Sequence, residues 1–119
     1  MSTFSEAAKN TMLDALTCDE VQLHDGDPGS NGTANRVGGT DGEEAATFAA
    51  ASSGTRNLDS DVNFTGLSGN QAVTWYSVWD SGTGTFEGKG EITSGDTQAN
   101  SSGEFTLTTG TSLNIDDPA

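Results

Sequence analysis

Residues 24–31, HDGDPGSN, place imidazole and hard oxygen groups closer together than anywhere else in the chain. Asp25, Asp27 and Asn31 could offer oxygen ligands to a calcium ion. Counted from Asp25, however, the sixth position is Ser30 where an EF-hand needs glycine, and the twelfth is Arg36 where it needs a bidentate glutamate. These three residues are therefore weak metal candidates. The run of Asp-Gly, Pro-Gly and Asn-Gly pairs reads first as turn chemistry in a surface loop. His24 is the only histidine. Serines and aspartates surround it in sequence, but there is no G-x-S-x-G elbow and no cysteine-nucleophile signature. A lone histidine at a loop edge more often orders that loop through a hydrogen bond than acts as a general base. The glycine-rich stretch GTGTFEGKG lacks the P-loop order and has no helix after it to meet a phosphate. No catalytic residue and no cofactor is expected.

The other chemistry on offer is aromatic. Trp75, Tyr76, Trp79 and Phe86 fall within AVTWYSVWDSGTGTFEGKG, and exposed rings there could stack on sugars. On a strand, Val73, Trp75, Ser77 and Trp79 share one side and Thr74, Tyr76 and Val78 the other. Neither side is polar, which predicts a strand covered on both faces, with these rings packed in a core or an interface. Ser81 and Gly82 to Gly84 supply the turn, and Thr85 and Phe86 start the return strand of a hairpin. Three N-x-[ST] sequons, at Asn31, Asn63 and Asn100, read as chance matches in a Ser/Thr-rich chain.

The elements that must position these groups follow from periodicity. Phe4, Ala8, Met12 and Leu16 recur at helical spacing, with Leu13 and Ala15 widening the stripe, and Thr3 with Glu6 fits a capping box. This predicts an amphipathic helix over about residues 4–17 whose stripe (Phe4, Met12 and Leu16) must lie on a sheet or on another subunit. Short alternating runs follow: 21–24, 44–50, 58–64, the central hairpin, 91–93, 104–108 and 112–115. Turn signals separate them and no crossover helix is available, so the pairing is predicted antiparallel. The expected architecture is mainly β: an antiparallel sandwich or flattened barrel over about residues 20–115, one domain across 1–119, with one N-terminal amphipathic helix.

Composition narrows the function classes. Only 31% of the 119 residues are hydrophobic, and 16 are glycine, so the core is thin and assembly is a natural source of further burial. Eighteen acidic residues face four basic ones, for a net charge of −14. Lys9, Arg36, Arg56 and Lys89 form no basic stripe, which argues against nucleic-acid partners. Such acidity with little lysine suits a halophilic source, where the Debye length of ~3 Å at 1 M salt screens self-repulsion. The single cysteine, Cys18, excludes an internal disulfide and reads as a small buried residue. No basic-led apolar segment opens the chain and no run approaches ~20 apolar residues, which predicts synthesis in a cytoplasm and no membrane insertion.

The order of these pieces resembles a family of small virion proteins of tailed viruses, its members commonly labelled tail fibre or head fibre proteins. The resemblance runs through SEAAKNTMLDAL, VQLHDGDPGSNGTANRVGGT, AATFAAASSGTRNL, AVTWYSVWDSGTGTFEGKGEIT and GEFTLTTGTSLNI. Its more specific elements are L-H-x-G-D-P-G and W-D-x-x-T-G-T-F, with matching positions at 7–16, 23–29, 47–54 and 78–90. Where the family often carries a Tyr-Ala-Arg segment, this chain has DGEEAA. The resemblance implies a non-enzymatic structural subunit exposed on a viral particle, as a capsid decoration, turret or fibre-like piece. Its partners would be itself, as a homo-oligomer with a trimer the expected form, and the major capsid or tail proteins. The alternative is an adhesin-like module binding a host-surface glycan through exposed aromatics.

Overall fold

The computed structural model describes residues 4–93, 95–109 and 111–114. It is mainly β, with one N-terminal helix and antiparallel sheets that do not close into a barrel. Of the two expected β architectures, the sandwich-like one is present. Helix α1 (Glu6–Asp14) is followed by β1 (Glu20–His24), a 3₁₀ turn (Gly39–Gly42) and β2 (Glu43–Ala45). Then come β3 (Thr55–Asn57), β4 (Val62–Phe64), β5 (Trp75–Asp80), β6 (Thr85–Glu91), β7 (Phe105–Leu107) and β8 (Ser112–Asn114). One sheet has the order β2-β1-β5-β6, while β3 pairs with β8 and β4 with β7, all antiparallel.

The central hairpin is β5 and β6. Register places Val21 opposite Val78 and Leu23 opposite Tyr76, so one face of the large sheet is apolar. These four side chains are buried with Phe64, Phe105, Leu107, Leu58 and Leu113 in a single core. β6 presents Gly88 and Gly90 to that core for a steric reason. A Cβ on Gly88 would lie 2.6 Å from Leu113 Cδ2, and one on Gly90 would lie 2.4 Å from the Tyr76 hydroxyl oxygen. The space that glycine leaves is filled by Leu113 and by Tyr76, whose hydroxyl donates to the Ser112 carbonyl.

Several expectations are corrected. The helix runs over Glu6–Asp14 rather than 4–17, and its N-cap is Ser5, whose hydroxyl accepts from the Ala8 amide at 3.1 Å. The predicted cap, Thr3, lies outside the described residues, as does Ile115. The strand predicted over 44–50 is three residues long, and the run 58–64 forms a strand only at Val62–Phe64. Strand β3 was not predicted at all. Its residues, Thr-Arg-Asn, carry no apolar alternation; Arg56 is there for its bonds to the helix.

Candidate functional site

The large sheet has a second face, and it is covered. Register puts Gln22 and His24 of β1 beside Ser77 and Trp75 of β5, and Phe86 opposite Trp79. A strand predicted to bury only Val21 and Leu23 also buries Gln22 and His24, because the loop 25–36 folds back over this side. Gly32 is the point of closest approach. Its φ is +74°, and a Cβ there would lie 2.4 Å from Phe86 Cδ1, so only glycine lets the loop backbone rest on that ring. Phe86 in turn packs on Trp79, with ring centroids 5.3 Å apart and planes tilted by 51°.

Beneath the loop lies a hydrogen-bonded chain. His24 Nδ1 is 2.8 Å from the Ala34 carbonyl oxygen, and Nε2 is 2.7 Å from Ser77 Oγ. A carbonyl only accepts, so the proton sits on Nδ1 and the Ser77 hydroxyl donates to Nε2. Ser77 Oγ also accepts the Trp79 indole N–H at 2.7 Å. Both His24 and Ser77 have 0% exposure. Burial holds the His24 ring below the usual histidine range, the nearby Arg36 charge acting in the same direction and the Ala34 bond and Asp25 opposing. The site holds a serine and a histidine in contact, as a hydrolase would. The third partner, however, is a carbonyl rather than a carboxylate, and both reactive groups are sealed from any substrate. The arrangement orders the loop through a neutral imidazole.

Asp25, Asp27 and Asn31 all lie exposed on this loop. Asp27 Oδ1 accepts from the Gly29 amide at 2.8 Å and from Lys89 Nζ at 2.6 Å. The Lys89 bond, then the Gly29 amide, hold its carboxyl below the usual range. Among the described residues no group of three or more His, Cys, Asp or Glu side chains is placed to hold a metal ion. Lys89 Nζ also lies 5.9 Å from the centre of the Trp75 ring. Trp75, Trp79 and Phe86 are each half-buried, and Tyr76 is buried.

Helix α1 is seated differently. Its docked side is Asn10, Leu13 and Asp14, one face at i, i+3 and i+4. Asn10 Oδ1 accepts from the Gly54 amide at 2.9 Å and Asp14 Oδ1 from the Ala51 amide at 2.7 Å. Leu13 is buried between them. The helix has no basic residue in its last turn, and Arg56 of β3 supplies the missing charge. Its Nη1 donates to the Leu13 and Leu16 carbonyls at 3.0 and 2.7 Å, and Nε donates to Ala49 at 3.0 Å. The Leu16 carbonyl lies past the helix end, and the Leu13 carbonyl also accepts the Leu16 amide at 3.2 Å, so the guanidinium adds charge where the helix ends. Past the helix, Cys18 is buried at φ +49°, its thiol pushed up to about 11 by burial and by Glu87. Glu87, the extra residue of a bulge opposite Val78 and Trp79, accepts the Thr17 and Cys18 amides at 3.0 and 2.7 Å.

This seating buries Leu13 of the predicted stripe and leaves part of the stripe outside the core. Leu16 is half-buried against it, but Phe4 is 57% exposed and Met12 37%. Beside Met12 a groove of about 560 Å³ runs between α1 and β6, lined by Leu13, Leu16, Tyr76, Gly88 and Gly90 among others. β6 is the end strand of its sheet. Sequence reasoning did not single out Ser77, Arg56 or Glu87. Only Ser77 left a signal, as the one small polar residue between two tryptophans on the same side of a strand.

The fold defines a mainly β, sandwich-like domain with an N-terminal helix. Compared with protein-family models, with curated proteins and with solved structures, the chain matches none.

Proposed function

We propose that this chain is a non-enzymatic structural subunit of a tailed-virus particle, standing on the particle surface as a capsid decoration, turret or fibre-like piece. The virus is that of a halophilic host. The observation that supports it most is the apolar surface left open at α1: Met12 stands beside the groove along β6, the end strand of its sheet, and Phe4, just before the helix, is exposed. A subunit that assembles with copies of itself, a trimer being the expected form, covers such a surface and leaves its acidic groups in solvent. Major capsid or tail proteins are the further partners. A net charge of −14 is repelled by packaged DNA, which favours the outside of a shell.

The glycan-binding alternative needs open indole faces. Trp79 spends its N–H on Ser77 and one ring face on Phe86, and Trp75 lies beside Lys89 and its bond to Asp27. Assembly is therefore the preferred reading. Labelling intact purified particles with an antibody to this chain tests it: decoration of the surface is expected, and particles that lack the chain would end the proposal.

A further inference from the structure

We propose that His24 is an acid-sensitive latch, which holds the loop 25–36 over Phe86 and lets it go when the ring takes a second proton. The hydrogen-bond geometry is fully satisfied by the neutral ring. With neutral His24, every polar atom in the chain Ala34–His24–Ser77–Trp79 has a partner: Nδ1–H to the carbonyl, Ser77 O–H to Nε2, and the indole N–H to Ser77 Oγ. A proton on Nε2 makes that nitrogen a donor. Ser77 Oγ then faces two N–H donors and its own hydrogen loses its acceptor in a site of 0% exposure. The ring charge would also be buried without a carboxylate bonded to it.

The surrounding charges offer little compensation. From the loop side Arg36, the bridge partner of His24, adds like charge, though it is itself paired with Glu43 of β2. At the end of β1, Asp25 opposes it from an exposed position. Asp27 is engaged by Lys89 of β6. From β5 the groups at the ring are Ser77 and, through it, Trp79, both uncharged. Relief comes by opening: the loop lifts, His24 reaches water, and the aromatic surface of Phe86 and Trp79 is uncovered. The loop's other clasp, Lys89 to Asp27, is between exposed groups and is screened by salt, so in concentrated salt the latch carries more of the closure.

The test is amide hydrogen exchange on the whole chain from pH 8 to 5, corrected for intrinsic rates. Loop amides are Asp25, bonded to Asn35, and Ala34, bonded to Pro28; the ladder between β4 and β7 is the reference. Expected is loop opening that rises about tenfold per pH unit below the ordinary histidine value of about 6.5, with the reference unchanged. His24→Gln, which does not titrate, should flatten that slope. Loop protection independent of pH would overturn the proposal. So would a slope that persists in His24→Gln, or loop and reference amides exchanging in step. Should the variant not fold, ring NMR of the wild type decides. His24 is the only histidine, and the Nδ1–H tautomer titrating together with loop exchange supports the latch. Titration with a closed loop overturns it.

Discussion

The loop-covered face of the large sheet and the open side of helix α1 both carry large apolar side chains beside the same hairpin, yet the chain treats them oppositely. Over Phe86 and Trp79 it lays its own loop, with Gly32 against the ring and His24 beneath. Along α1 it docks a polar face, through Asn10, Asp14 and Arg56, and leaves Phe4 and Met12 outside. The chain's own loop thus covers the first surface, leaving Phe86 and Trp79 half-buried, while Phe4 and Met12 are left exposed. On the proposed function, the difference separates surface needed for folding from surface kept for a partner.

Substitutions should divide along the same line. The largest loss is expected for Leu23→Ala in the core between the sheets: about 2–5 kcal/mol in chemical denaturation, since Leu23 is fully buried. Gly32→Ala should cost about 2–3 kcal/mol, because the new methyl meets Phe86 at a backbone φ of +74°. That loss should appear first as exchange in the loop 25–36; uniform loss across the domain would erase the distinction between the two regions. Arg56→Met should cost about 1–2 kcal/mol by freeing the helix-end carbonyls, with β4 and β7 little affected.

Acid separates the regions in a second way. Burial lowers the His24 pKa in the folded chain, so below the ordinary histidine value of about 6.5 the unfolded state binds more protons and stability falls as pH drops. Asp19 and Asp27 have lowered pKa values, Asp19 through its bonds from the Ser81 amide and hydroxyl and Asp27 through Lys89. Their contribution is present above the ordinary aspartate value of about 3.9 and is lost as pH falls below it. Thermal melts should therefore show two declines on acidification, and His24→Gln should remove only the upper one.

The covered face was largely legible in the residues. Apolar positions on both sides of β5 require cover on both sides, and the turn-rich loop after His24 was the segment next to it. Its seating was not legible, since nothing in DGDPGSNGTAN shows that Gly32 touches Phe86, some fifty positions away. The helix was legible as an element, and the stripe's Leu13 and Leu16 do face the core, but which part of the stripe is buried was not legible. Periodicity weighs Phe4, Met12 and Leu16, but it gives no weight to Asn10 and Asp14 accepting amides from 51 and 54, or to an arginine from β3 capping the end. Long-range polar bonds of that kind decide orientation and leave no pattern in the chain. The Ser77–His24 contact is of the same sort: register across β1 and β5 creates it.

The smallest stability effect belongs to the open surface. Phe4→Ser with Met12→Ser should change monomer stability by no more than about 0.5 kcal/mol per site, as exposed positions do. Their effect on association should be large, and this is the most direct measurement of the division drawn above. Sedimentation of the whole chain in molar salt, where its charge of −14 is screened, should show a concentration-dependent oligomer for the wild type and a monomer for the double variant. A wild type that stays monomeric at every concentration, or a double variant that associates equally well, would contradict it.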